Sequence, residues 1–209
     1  MNYRHLAVEG NIGSGKTTLA RMLAEHYGTR LALEEFEDNH LLPKFYSDPL
    51  RYGFALELSF LADRFSQLKG LLPPDLFQEK LVTDYALDKS RLFARVNLKD
   101  DEYALFHRFF DMIHPQLPPP DLMIYLHAPV GKLRQHIRQR GRSYEQDIPD
   151  DYLERIQEAY QQYLKQDPCR IIILDAANAD FASQPDHFRQ LTDFLGKNYD
   201  FRQHYLAIN

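Results

Sequence analysis

The 209-residue chain has no tryptophan and a single cysteine, Cys169. One cysteine excludes an internal disulfide and any metal site built from several thiolates. Its simplest role is that of a small apolar residue beside a strand. Long apolar runs are missing as well, and none approaches the ~20 residues a membrane-spanning helix needs. The sequence also lacks an excess of basic charge, with 25 Lys and Arg against 30 Asp and Glu and a formal net charge of −5. That balance argues against a nucleic acid polymer as the main partner. Repeats and low-complexity segments are absent, and the one proline cluster, Pro118-Pro119-Pro120, reads as a stiff approach to a strand. The first apolar run starts almost at Met1, so the expectation is a protein without a leader peptide, located in the cytoplasm.

Glycine is sparse, nine residues in all, yet three of them fall in Gly10-Asn11-Ile12-Gly13-Ser14-Gly15-Lys16-Thr17-Thr18. This stretch follows the apolar run His5–Glu9 and leads into the helical pattern of Leu19-Ala20-Arg21-Met22-Leu23. Strand, glycine-rich turn and helix together form the setting in which G-x-x-x-x-G-K-[ST] acts as a phosphate loop. Glycines let successive backbone N–H groups point inward around a phosphate, and the helix N-terminus adds partial positive charge. Lys16 is placed to reach the β- and γ-phosphates, and the Thr17 hydroxyl to ligate Mg²⁺. The sequence therefore predicts that a nucleoside triphosphate binds here.

Length suits one domain over residues 1–209, large enough to bury a substantial core. Apolar runs at His5–Glu9, Leu31–Glu34, Lys80–Thr83, Leu122–Leu126 and Ile171–Leu174 alternate with helical patterns. The alternation predicts an α/β fold with a five-stranded parallel sheet flanked by helices. Helices are expected at Lys16 to Tyr27, Arg51 to Lys69, Lys89–Val96, Asp101–Ile113, Gly131–Arg140, Asp150–Gln166 and Asp186–Leu195. In the long one, Phe54, Leu58, Leu61, Phe65 and Leu68 form an apolar stripe suited to a core or a helix–helix contact. Ligands of open parallel sheets sit beyond the carboxyl ends of the strands. There the second run is followed by Glu34, Glu35, Glu37 and Asp38, and the third by Asp84 and Tyr85. A phosphate loop needs a carboxylate for Mg²⁺ or for the nucleophile, which singles out Asp84 or Glu34. After the fourth run come Arg138, Arg140 and Arg142 around Gly141, and alternate arginines suit a lid closing over transferring phosphate at about 138–149.

Three segments taken together resemble the deoxynucleoside kinase family: Gly10–Thr18, Leu41-Leu42-Pro43-Lys44-Phe45-Tyr46-Ser47-Asp48-Pro49, and Arg138–Ile148 with Pro149. Pro120-Asp121-Leu122-Met123-Ile124-Tyr125-Leu126 and Arg140-Gly141-Arg142-Ser143-Tyr144-Glu145-Gln146 strengthen the likeness. The resemblance implies a P-loop kinase fold, ATP and Mg²⁺ as cofactors, a deoxynucleoside as the second small molecule, and a homodimer. By position it places Glu34 as acceptor of the 5′-hydroxyl proton, and Tyr46 and Glu145 at the sugar 3′-hydroxyl. It puts Arg140 and Arg142 on the lid, with Glu57 and Arg64 facing the base from the long helix. Three positions depart from the family pattern. Glu35 stands where proline is common, leaving Glu34 and Glu35 as alternatives for the base. The acidic-Arg-Ser motif after the third strand gives way to Asp84-Tyr85-Ala86-Leu87-Asp88-Lys89-Ser90-Arg91, so that Lys89 or Arg91 replaces its arginine. Glu57 stands where glutamine is usual.

An ATP-dependent kinase of 2′-deoxynucleosides is therefore the expectation, with a purine, deoxyguanosine first, as the substrate. A monophosphate kinase of thymidylate-kinase type would show Asp-Arg-Tyr after the third strand, which is absent. A GTP-binding switch would need Asn-Lys-x-Asp, and the one Asp-x-x-Gly match, Asp193-Phe194-Leu195-Gly196, falls after every strand foreseen.

Overall fold

A computed structural model describes residues 3–36, 39–72, 80–166, 169–197 and 202–208. Glu37 and Asp38 of the acidic cluster lie outside the described residues. In chain order the elements are β1 (His5–Gly10), α1 (Lys16–Tyr27), β2 (Arg30–Ala32), α2 (Leu41–Ser47), α3 (Pro49–Leu71), β3 (Leu81–Thr83), α4 (Asp88–Asn97) and α5 (Asp100–Ile113). They continue with β4 (Leu122–His127), α6 (Val130–Arg140), α7 (Asp150–Leu164), β5 (Arg170–Asp175), α8 (Pro185–Leu195) and β6 (Gln203–Ala207).

All strand pairs are parallel, in the order β2-β3-β1-β4-β5-β6. The sheet has six strands, not the expected five. The addition is β6, whose residues are alternately exposed and half-buried. An edge strand of this kind is recruited by backbone pairing with β5 and leaves no continuous apolar run in the sequence. By contrast, β1 is buried along its whole length and β4 along all but its last residue, as strands covered on both faces must be. A second element without a sequence forecast is α2, seven residues long with a proline inside it. It is held by tertiary burial of Leu42 and Phe45, one turn apart on one face.

From β1 the chain passes to β2 and β3 on one side of the sheet and to β4, β5 and β6 on the other. Beyond the carboxyl end of β1 a crevice is therefore expected, and the phosphate loop lies there. Local signals set the helix ends around it. Asp48 caps α3 by accepting from Arg51 N at 3.3 Å, with Pro49 in the first turn. Gly141 ends α6 in the left-handed region, φ 74°. Strand β2 stops at Ala32, two residues earlier than expected, so Glu34 stands beyond the strand. The main core surrounds the sheet, and a second cluster of Leu61, Leu68, Tyr85, Phe106 and Phe110 seats α3 and α5 behind it.

Candidate active site

The site is assembled from several chain segments, most of them at the carboxyl ends of the strands. In the phosphate loop Gly10, Gly13 and Gly15 have φ of 151°, 79° and 94°. Two of them are sterically required as well. A Cβ on Gly10 would lie 2.9 Å from Leu126 O, and one on Gly13 would lie 2.7 Å from Leu133 O. His136 of α6 donates from Nδ1 to Gly13 O at 2.7 Å and ties that helix to the loop. Lys16 Nζ donates to Asn11 O at 2.9 Å, folding the side chain back across the turn. Burial, and then the nearby ammonium of Lys89, lower the Lys16 pKa to about 8. Thr18 is exposed.

Asp84, directly after β3, joins the loop to the β2 segment. Its Oδ2 accepts from Thr17 Oγ1 at 2.6 Å and its Oδ1 accepts from Glu34 N at 2.7 Å. Glu34 is thereby held beside the phosphate loop, and its carboxylate meets two cations. Arg64 Nε donates to Oε1 at 2.8 Å, with NH2 on the same oxygen, while Lys89 Nζ donates to Oε2 at 2.6 Å. Burial alone would raise the Glu34 pKa, but Arg64 and Lys89 together hold it well below the usual carboxylate range. The two alternatives from the sequence separate by geometry. Glu35 is exposed and accepts from Gln67 Nε2 at 3.2 Å, away from these cations. Likewise Lys89 reaches Glu34, whereas Arg91 pairs with Asp88 at 3.2 Å.

Glu57 and Arg64, two turns apart on α3, are both buried, with exposures of 1% and 4%. They are not bonded to one another. Arg64 is committed to Glu34 and, through NH1, to Ser90 Oγ at 2.6 Å, so its guanidinium is not presented as the open fork that a base would meet. Glu57 Oε1 accepts from Asn97 Nδ2 at 2.6 Å, while its Oε2 has no hydrogen-bond partner among the described residues. Burial pushes its pKa up to about 7, against the opposing pull of Asn97 and Arg64.

The arginine-rich segment at the end of α6 forms a third group. Arg140 NH2 donates to Glu145 Oε2, and Arg142 NH1 to Glu145 Oε1 at 3.3 Å. Arg142 also lies over the ring of Phe36, 3.9 Å from its centroid. Gln146 Nε2 donates to Ile137 O and Arg142 O, pinning the segment to the end of α6. Tyr46 of α2 stacks on Tyr144, ring centroids 6.0 Å apart, which brings it to the segment that carries Glu145. Burial, reinforced by Tyr152 and Glu145, raises the Tyr46 hydroxyl well above its ordinary pKa. Arg138 is exposed.

A cavity of about 1640 Å³ runs along this surface. It is lined by the phosphate loop, Glu34, Phe36, Arg140 and Arg142, and by Ala176, Ala177 and residues 179–183 after β5. Tyr46, Glu57, Arg64 and Glu145 lie outside its lining. Sequence reasoning missed several members of the site. Glu9 ends β1 with 1% exposure and accepts from Ala86 N at 2.6 Å and Tyr160 OH at 2.7 Å. A carboxylate closing an apolar strand was the signal for it. Asn97, Ser90, Tyr144 and His136 carried none, because only packing brings them to the site.

Comparison with known proteins gives a consistent picture. The deoxynucleoside kinase family profile matches residues 6–198. The chain is 33% identical over 194 residues to a deoxyguanosine kinase of Bacillus subtilis (strain 168), covering 89% of this chain and 93% of the relative. It is 32% identical over 193 residues to a deoxyadenosine kinase of Dictyostelium discoideum, covering 90% and 77%. A solved structure of deoxyadenosine kinase from M. mycoides with bound dATP superposes with a TM-score of 0.77 at 24% identity, covering 92% of this chain and 100% of the other. At that identity the superposition speaks for the fold.

Proposed function

The chain belongs to the deoxynucleoside kinase family and is a phosphotransferase, and from that premise we propose that it transfers the γ-phosphoryl group of ATP to the 5′-hydroxyl of a 2′-deoxynucleoside. The observation that carries the reading is the Glu34 carboxylate. Asp84 holds it beside the phosphate loop through its backbone N–H, with Arg64 and Lys89 on its two oxygens.

Phosphoryl transfer asks the protein for position and charge more than for covalent chemistry. Lys16 supplies charge at the β- and γ-phosphates, and Arg140 and Arg142 line the same cavity to meet the transferring group. With its pKa depressed, Glu34 is ionised at every working pH and is a weak base. Its task in this reading is to orient the 5′-hydroxyl and accept the proton once the new O–P bond has made it acidic. The residues present suit Mg²⁺. Thr17 Oγ1 and Asp84 Oδ2 are hard oxygens 2.6 Å apart at the phosphate side, and a bound Mg²⁺ would neutralise phosphate charge there.

Tyr46 and Glu145 would hold the sugar, and Glu57 the base. An ionised Glu57 accepts the adjacent N1–H and N2–H₂ of guanine, which supports a purine, deoxyguanosine first. The kinase names of the B. subtilis and D. discoideum relatives lend support to a purine deoxynucleoside. A homodimer is part of the reading, with Leu105, Phe109 and Met112 forming an exposed apolar line on α5. The test is a phosphorylation panel with Mg-ATP of the four deoxynucleosides, their ribonucleoside counterparts and the deoxynucleoside monophosphates. Deoxyguanosine is expected to lead and 2′,3′-dideoxynucleosides to be poor, because a polar sugar site left unpaired is penalised strongly. Faster use of a monophosphate would replace this reading with a monophosphate kinase.

A further inference from the structure

We propose that Glu57 and Asn97 form a proton-switched base reader, so that the same site favours guanine in one protonation state and adenine or cytosine in the other. The inference deepens the reading above, on which it rests for the base lying against α3, and concerns how that site chooses its substrate.

Glu57 is 1% exposed, and its Oε2 is buried without a hydrogen-bond partner among the described residues. An unmatched buried oxygen is a standing cost, relieved when a ligand group pairs with it. No ammonium or guanidinium is bonded to it among the described residues, because Arg64 and Lys89 are both engaged by Glu34. The groups acting on Glu57 are Arg64 on its own helix, Glu34 after β2, and Lys89 and Asn97 of α4. Tyr152 of α7 is coupled to it electrostatically as well. Tyr46 of α2 joins the cluster through Tyr152. This balance leaves the carboxyl poised near neutrality, with a pKa of about 7.

Asn97 decides where the proton goes. Its Nδ2 donates to Oε1, so Oε1 stays an acceptor in both states and the proton, when present, resides on Oε2. In the neutral form Oε2–H donates to a ring nitrogen, N1 of adenine or N3 of cytosine, while Oε1 accepts from the amino group beside it. In the ionised form Oε2 accepts instead and matches N1–H of guanine, while Oε1 takes its N2–H₂. Each form presents a repulsive pair to the other class of base.

The experiment is the ratio of kcat/KM for deoxyguanosine to that for deoxyadenosine, followed from about pH 6 to about pH 8.5. Ionisations that affect both substrates alike cancel in the ratio. It is expected to rise by up to ~tenfold per pH unit. Glu57→Gln should make the ratio independent of pH and shift it toward deoxyadenosine and deoxycytidine. Asn97→Ala removes a donor that favours the ionised form, so the ratio at a given pH should fall. A flat ratio in the wild-type enzyme, or a slope that persists in Glu57→Gln, overturns the proposal. Should no deoxynucleoside be phosphorylated at any pH, the functional reading itself fails. The reader is then judged by calorimetry in two buffers of different ionisation enthalpy. Proton uptake when deoxyadenosine binds at about pH 8 supports it, and its absence overturns it.

Discussion

Two side chains carry the sharpest residue-scale expectations. Lys16 is the ammonium of the phosphate loop, and Lys16→Ala should reduce turnover by ~10²-fold or more, as loss of a preorganised charge does. Steady-state rates on protein with an unchanged circular dichroism spectrum measure this. Glu34→Gln keeps the shape but leaves the buried Arg64 and Lys89 facing an amide. Turnover should fall ~10²-fold or more, as loss of a general base does, with KM for the nucleoside little changed. Folding stability should drop by ~3 kcal/mol, because breaking a buried ion pair from one side strands its partners. Glu35→Gln, at an exposed carboxylate bonded to Gln67, should alter neither quantity measurably. Paired rate and denaturation measurements on the two variants decide which glutamate serves the site. The sequence left these glutamates as alternatives, and β2 ending at Ala32 brings only the first of them to Asp84.

Helix α3 is the element on which site and core meet. Of its apolar stripe, Leu61 and Leu68 enter the second core cluster, with Phe54, Leu58 and Phe65 packed against it. Glu57 and Arg64 fall beside Leu61 and Leu68 at helical spacing and are buried with them. Periodicity revealed the helix and its stripe, but the interior charges read equally well as a solvated pair, since a sequence pattern does not distinguish a buried polar face from a wet one. Burial has a thermodynamic consequence. Between the unfolded carboxyl pKa and about 7, the native state keeps a proton on Glu57 that the unfolded chain has lost. Stability contributed by this group is thus complete below the unfolded pKa and declines as pH rises, levelling off above about 7. The decline amounts to ~3 kcal/mol. Glu57→Gln removes it. The stability difference, variant minus wild type, should be ~3 kcal/mol larger at about pH 8 than at about pH 4.5, as read from urea denaturation at the two pH values. A difference independent of pH would show that Glu57 titrates normally.

At the scale of the whole molecule, the apolar line Leu105, Phe109 and Met112 recurs at one helical face of α5, with exposures of 41%, 44% and 70%. Exposed apolar patches of this kind mark interaction surfaces. Sedimentation is expected to show a dimer, and Phe109→Glu with Met112→Glu to convert it to monomers by burying charge in the interface. A wild-type monomer at micromolar concentration would remove the homodimer from the functional reading.

Sequence alone determined the glycine-rich turn after β1, the parallel α/β alternation and the arginine pattern at the end of α6, because each rests on local physics. Glycine conformations, strand–turn–helix order and apolar period are written in consecutive residues. It did not disclose β6 or α2, whose residues are held by pairing and burial against distant segments rather than by their own pattern. Only the tertiary structure decided that Arg64 is spent on Glu34 and that Lys89, not Arg91, joins it. Asn97 was likewise set against Glu57 by the way α4 packs on α3. These are facts of desolvation and charge pairing between residues 30 to 55 positions apart, and such energies exist only once the chain has folded.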